Sequence, residues 1–214
     1  MTRNNNVITS KYKVSGLYLR GVLSGLRKIS GQKYESLLEQ AGLSQFSQKY
    51  PAHTLETVAT GTQLIRLLEL IIDLVGADVF NLLYTNLGRG FGQALATFPQ
   101  FHEIAQSDEY ATFQMKLNHL LESIAELHNQ ALGGKIETKI EAEPNTFRLI
   151  FHDCFYCLHT QKATKPACVN VPAMYKQVLL ELTKLRFNVE EVKCGAVTGE
   201  PDCHFILKYN PIAN

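Results

Sequence analysis

The helical period that runs through most of this chain stops at Gly133-Gly134, and the remaining third has a different pattern. Before the double glycine, apolar residues recur three and four apart. After it, Lys135 to Glu143 alternates Ile136, Thr138 and Ile140 against charged residues, the period of a half-buried strand. A turn at Pro144-Asn145 and the return Thr146 to Phe155 complete a β-hairpin. A polar loop around Pro166 leads into a helix from about Ala173 to Leu185. Two strands close the chain, about Asn188 to Val197 and Asp202 to Tyr209. The expected fold class is α+β: N-terminal helices packed on an antiparallel β-sheet, with a C-terminal β-β-α-β-β part.

Four helical stretches and a short one precede that switch. Val14 to Ile29 carries Leu17, Tyr18, Val22 and Leu26 on one face, and Gly21 and Gly25 thin another. That small-residue face suits close helix packing or a dimer contact. A short helix from Gln32 to Gln40 ends at Gly42. Thr62 to Val75 is apolar on most sides, and Asp78 to Phe98 carries Phe80, Tyr84, Phe91 and Phe98. Within it GRGFG, residues 88–92, has the glycine density of a phosphate loop. No strand precedes it and the helical period continues through it, so these glycines face a helix or a ligand. Glu109 to Leu132 is a further amphipathic helix. The expected organisation is an N-terminal helical segment over 1–57, with a role in dimerisation, and a ligand-binding domain over 58–210.

Composition narrows the function. With 21 basic and 20 acidic residues and no dense basic cluster, the chain has no electrostatic case for nucleic acid. The longest apolar run is broken by Arg66, Glu69 and Asp73, which excludes an ordinary membrane span. The first residues lack the apolar core of a secretion signal, and a cytoplasmic protein is expected, with peripheral membrane association left open.

Five cysteines fall in the last third: Cys154, Cys157, Cys168, Cys194 and Cys203. In a reducing compartment such grouping points to metal or reactivity more than to disulfides. Cys194 and Cys203 flank a Gly-Glu-Pro-Asp turn and can lie opposite each other on a hairpin. With Cys168 and Glu191 they make a closed four-ligand zinc set. Positions three apart on a regular strand point to opposite faces, so Glu191 and Cys194 can share a metal only across a bend or bulge. Cys157 or His159 are the alternatives for the fourth position, and the same alternation excludes His204. A cross-strand disulfide, buried free thiols and a redox centre are the competing accounts. CFYC, residues 154–157, has redox-pair spacing but ends a strand, and reads as core.

The stretch from Cys168 to Phe205, a cysteine, a helix, then ExxC-x(8)-C-x-F, resembles the 4-vinyl reductase domain family, as does LLYTNLGRGFGQALA. The resemblance covers about residues 58 to 210. It implies a fold shared with subunits of the TRAPP vesicle-tethering complex and with phenol-sensing domains. In those sensors the matching residues bind zinc, which implies Cys168, Glu191, Cys194 and Cys203 here. It further implies a hydrophobic small molecule between helices and sheet. The residues themselves offer Tyr84, Phe91 and Phe98, at helical spacing beside small glycines, and Gly88, where a flat molecule could approach the backbone, as ligand-binding candidates.

The expected function is a non-enzymatic binding module for an apolar molecule. Family association suggests a tetrapyrrole or pigment and an accessory role in chlorophyll metabolism or photosystem assembly. His102, His119 and His128 are the candidate axial ligands. A homodimer and a protein partner for output are expected. A TRAPP-like scaffold and a subunit of a vinyl-reducing enzyme are the alternatives, the latter without any dinucleotide fingerprint.

Overall fold

The switch at the double glycine is where the architecture changes. A computed structural model describes residues 12–157 and 163–209. β1 (Lys13–Ser15) leads into α1 (Gly16–Ser30), whose N-terminus is capped by the Ser15 hydroxyl accepting from the Tyr18 amide. A 3₁₀ turn and α2 (Tyr34–Gln40) come next, then β2 (Thr57–Thr60), which pairs antiparallel with β1. This two-stranded ribbon was not legible in the sequence, because neither strand is long enough to show an alternation.

α3 (Gly61–Val75) opens with a reciprocal capping box between Thr60 and Gln63. Gly76, at φ 81°, separates it from α4 (Ala77–Ala96). The helix expected to run to Phe98 ends two residues earlier, and Pro99 begins a separate α5 (Pro99–Gln106), the first-turn position that proline tolerates. Thr112 caps α6 (Phe113–Leu132), which starts later than its apolar pattern suggested and stops at Gly133 in the left-handed conformation.

β3 (Lys135–Ile140), β4 (Thr146–His152), α7 (Asn170–Thr183), β5 (Phe187–Lys193), a single helical turn α8 (Gly195–Thr198) and β6 (Cys203–Tyr209) complete the described chain. The four strands form one antiparallel sheet in the order β3-β4-β6-β5. The α+β class and the β-β-α-β-β order therefore hold.

One face of the sheet is apolar: Phe147, Leu149 and Phe151 of β4 alternate inward beside Cys203, Phe205 and Leu207 of β6. Helices α6 and α7 lie against the sheet, at β3 and β5 respectively. Fully burying a side chain of this size contributes about 1.5–3 kcal/mol. The first helix belongs to the same core. Val14, Tyr18, Leu19 and Leu23 are in one buried cluster with the sheet residues, so residues from both 1–57 and 58–210 build it.

Among the helices, α4 and α7 make the most extensive contact. Its cause is in GRGFG. A Cβ on Gly88 would lie 2.2 Å from the Asn170 carbonyl oxygen, and one on Gly92 would lie 2.5 Å from that of Met174. The two glycines are four apart, on one face of α4, and let the backbone of α7 press against it.

Candidate functional site

Two sites sit on either side of α4 and α7. The first is the cysteine group. Phe155–Cys157 is a 3₁₀ turn closing β4, a geometry that brings residues three apart to the same side. Cys154 and Cys157 thus both point toward Cys168, with Sγ–Sγ separations of 3.6 and 3.2 Å. Cys157 also stands 3.5 Å from Cys194 and 3.1 Å from Cys203. The CFYC segment, read as core with Cys157 an alternative for the fourth ligand position, is brought into the cluster by this turn.

On β5, Glu191 pairs with Phe205 and Lys193 with His204, so Val192 is an extra residue with no partner across the ladder. This bulge is the bend that the spacing required. It returns Cys194 to the side of Glu191, whereas His204 stays on the other face of β6. One ligand atom from each of Cys157, Cys168, Glu191, Cys194 and Cys203 lies within 4.8 Å of every other. His159 lies outside the described residues.

Burial and the closeness of the thiols set the electrostatics of this group. Glu191 accepts from the Cys168 amide at 3.2 Å through Oε2, while its buried Oε1 has no hydrogen-bond partner. Burial, then the neighbouring Cys194 thiol, push its carboxyl up to about 8. Hydrogen bonds from the surrounding thiols, Cys154 first, hold Cys157 far below the ordinary thiol range. Burial drives Cys168 the other way. The Ala167 and Gly195 amides donate to the sulfurs of Cys194 and Cys203 at 3.4 and 3.2 Å. Thiolate character without a counter-charge is costly in such a place; a divalent cation removes that cost. Two thiolates on one tetrahedral zinc stand about 3.8 Å apart, close to the separations found here.

The second site is a cavity of about 580 Å³ between α1 and α4. Its inner wall is Tyr18, Leu68, Ile71, Phe80, Tyr84 and Phe91. The Tyr18 ring meets Phe91 edge-on at 5.3 Å, and the Tyr18 and Tyr84 hydroxyls stand 3.4 Å apart. Burial raises both phenols, Tyr18 to about 12, so both are neutral. Glycines thin the outer edges. No atom lies within 4 Å of where a Cβ on Gly25 or Gly90 would sit.

The ligand-binding candidates divide accordingly. Tyr84 and Phe91 line the cavity. Gly88 does not: it faces α7, because position 88 lies on the opposite side of the helix from 90. Phe98 packs near Phe101, with ring centroids 6.2 Å apart, beyond the cavity. Gly21 lies against Leu87 of α4, where a Cβ would stand 3.2 Å from Cδ1, whereas Gly25 faces open space, so only the Gly21 part of the glycine face expected to suit a dimer is used within the chain.

The three histidine candidates also fall elsewhere. His102 and His119 are exposed, and buried His128 shares a 2.5 Å hydrogen bond with the Tyr156 hydroxyl and lies behind Phe91, outside the cavity lining. What the sequence reading missed is the contribution of α1 to the site. Its glycines and the apolar face of Leu17, Tyr18 and Val22 were the available signal.

Comparison with known proteins places the fold. No family model matches, and no curated protein matches. Among solved structures, a mutant H-NOX protein of T. tengcongensis aligns at TM-score 0.60 and 12% identity, over 93% of this chain and all of the other. An H-NOX protein from S. oneidensis aligns at TM-score 0.57 and 11% identity, over 92% of this chain and all of that one. The phenol-responsive sensory domain of the transcription activator PoxR aligns at TM-score 0.49 and 15% identity, over 68% of this chain and 72% of that one. The chain has the fold of H-NOX domains.

That result corrects the family expectation. The 4-vinyl reductase and TRAPP-like resemblance is not supported, since the full-length structural matches are H-NOX domains and no family model matches. The chlorophyll and photosystem role rested on that resemblance alone and falls with it. Among the described residues no helix is long and apolar enough to cross a membrane.

Proposed function

We propose that this protein is a small-molecule-binding module whose ligand occupies the cavity between α1 and α4. The observation that carries this reading is the cavity itself: about 580 Å³, with Tyr18, Phe80, Tyr84 and Phe91 on its inner wall. This is the size and lining of a site for a flat or chain-like apolar molecule. Output passes to a protein partner, and α4 suits that role. It carries the cavity wall together with Val79 and Leu82, which are 48% and 62% exposed.

Heme distortion is the subject of one of the matched H-NOX structures, so heme is the first ligand to weigh. The inner wall supplies no imidazole or thiolate, and burial keeps its two phenols, Tyr18 and Tyr84, protonated. Among the described lining residues the one imidazole is His53, at the exposed edge. A heme held through its iron from inside the cavity does not fit these residues; a flat apolar molecule held by packing does. Absorbance and mass spectrometry of the protein as purified test the reading. A co-purifying apolar molecule that is lost in Gly90→Leu supports it. Binding that survives Gly90→Leu moves the site elsewhere.

We further propose one structural zinc ion, held by Cys168, Cys194, Cys203 and Glu191. The support for Glu191 is its buried, unpartnered Oε1 among thiols. A second set replaces Glu191 by Cys157, whose sulfur is 3.1–3.5 Å from the other three. Elemental analysis of Glu191→Gln and Cys157→Ser decides between them: the true fourth ligand is the one whose loss weakens zinc retention. Zinc absent from the reduced native protein overturns both sets.

A further inference from the structure

The open edge of the cavity carries charge of one sign. Along α1, Arg20, Ser24 and Lys28 succeed one another at intervals of four and line that edge. The line spans about 12 Å. Asn86, Gly90 and Ala94 of α4 face it across the opening at the same interval. Arg20 and Lys28 are the charged residues among the described lining, and no carboxylate accompanies them. Neither forms an ion pair with a carboxylate among the described residues.

Arg20 is held in place. Its guanidinium donates to the Pro51 carbonyl at 3.1 Å and lies over the Tyr50 ring at 5.6 Å. A guanidinium has more donors than that contact uses, and they stand beside the opening. Two cations above an apolar, aromatic-walled space match a molecule of the opposite kind at each end.

We infer that the cavity takes a molecule with an apolar body and a carboxylate. The body packs against Phe80, Tyr84 and Phe91, and the carboxylate meets Arg20 and Lys28. This rests on the reading of the cavity as the ligand site and adds the chemical class. An aliphatic acid and a tetrapyrrole bearing propionates share this chemistry. Charge-assisted hydrogen bonds at an exposed edge are partly screened, so the preference for acid over neutral analogue is about tenfold rather than larger.

Matched pairs test it on the full chain: dodecanoate against dodecanol, and protoporphyrin IX against its dimethyl ester, by titration calorimetry or fluorescence. The expected result is about tenfold tighter binding of the acid in one pair. In the Arg20→Gln/Lys28→Gln variant the two members of that pair bind equally, and in Gly90→Leu neither binds. Preference in the first pair assigns an aliphatic acid; preference in the second assigns a tetrapyrrole. Equal binding of acid and neutral analogue by the native protein overturns the carboxylate and leaves the cavity as the site. Preference that survives Arg20→Gln/Lys28→Gln places the carboxylate elsewhere. Binding of none of the four overturns the cavity reading as well.

Discussion

The Cβ that Gly88 lacks would lie 2.2 Å from the backbone oxygen of Asn170. Two residues on, Gly90 has open space at the same position. One helix thus presents a packed glycine face and an open one, and substitution separates them. Gly88→Ala forces α7 away from α4 and costs about 1–3 kcal/mol or more, the range for overpacking a well-filled interface. Gly90→Ala gains helix propensity of about 0.5–1 kcal/mol without a clash. Urea unfolding of the two variants gives opposite signs. A destabilised Gly90→Ala would contradict the open face.

The bulge at Val192 predicts the outcome of a deletion. Deleting Val192 restores regular pairing and leaves Glu191 and Cys194 two apart, the spacing that a regular strand places on one face. The expected outcome is retained zinc with the sheet intact, read by elemental analysis beside far-UV circular dichroism. Loss of zinc after the deletion would show that the bulged backbone itself, and not the shared facing of the two side chains, assembles the ligands.

Cys194→Ala and Cys203→Ala lose the metal and lower the melting temperature, because bound zinc stabilises only the folded chain. Cys154→Ala keeps it. Cys154 lies 3.6 Å from Cys168 but stands outside the five residues whose ligand atoms are mutually within 4.8 Å. Zinc release by Cys154→Ala alone would overturn this assignment.

His128 gives a pH dependence with a definite sign. Burial lowers its imidazole to about 3, so the folded state keeps it neutral. An unfolded histidine titrates near about 6.5. Between these values the unfolded chain binds a proton that the folded chain does not, so stability is complete above the upper value and falls as pH decreases. The slope from this group is at most about 1.4 kcal/mol per pH unit. Denaturant unfolding from about pH 7 to about pH 5 shows a steeper loss in the native protein than in His128→Gln. Equal slopes would place the acid sensitivity on other groups.

Removing residues 1–30 takes Leu17, Tyr18, Leu19, Val22, Leu23 and Leu26 out of the core, all of them buried. Each large side chain lost from such a place costs about 2–5 kcal/mol, and a domain has only about 5–15 in total. The truncated chain does not fold cooperatively, as dispersion of its amide NMR signals will show. A folded truncation would mean that α1 is an appendage to the core.

The elements with a strong local period were legible in the sequence. The apolar faces of α1, α3, α4 and α6, the alternation of β3 and β4, and the turn between Cys194 and Cys203 each arise from residues within one segment. So did the condition that Glu191 and Cys194 need a bulge between them, since strand geometry alone imposes it. The sequence could not say which side of α4 each glycine serves. Gly88 and Gly90 sit in the same pattern, and only the approach of α7 distinguishes them. Nor could it bring Cys157 to Cys168, Cys194 and Cys203, which depends on a 3₁₀ turn, a loop and a β-bulge meeting at one point. The cavity is likewise a property of two helices far apart in the chain, α1 and α4, whose small residues leave space only once packing sets their separation. Local periodicity determines the elements; the contacts between distant elements decide the sites, because close packing and charge burial are satisfied only when the whole core has formed.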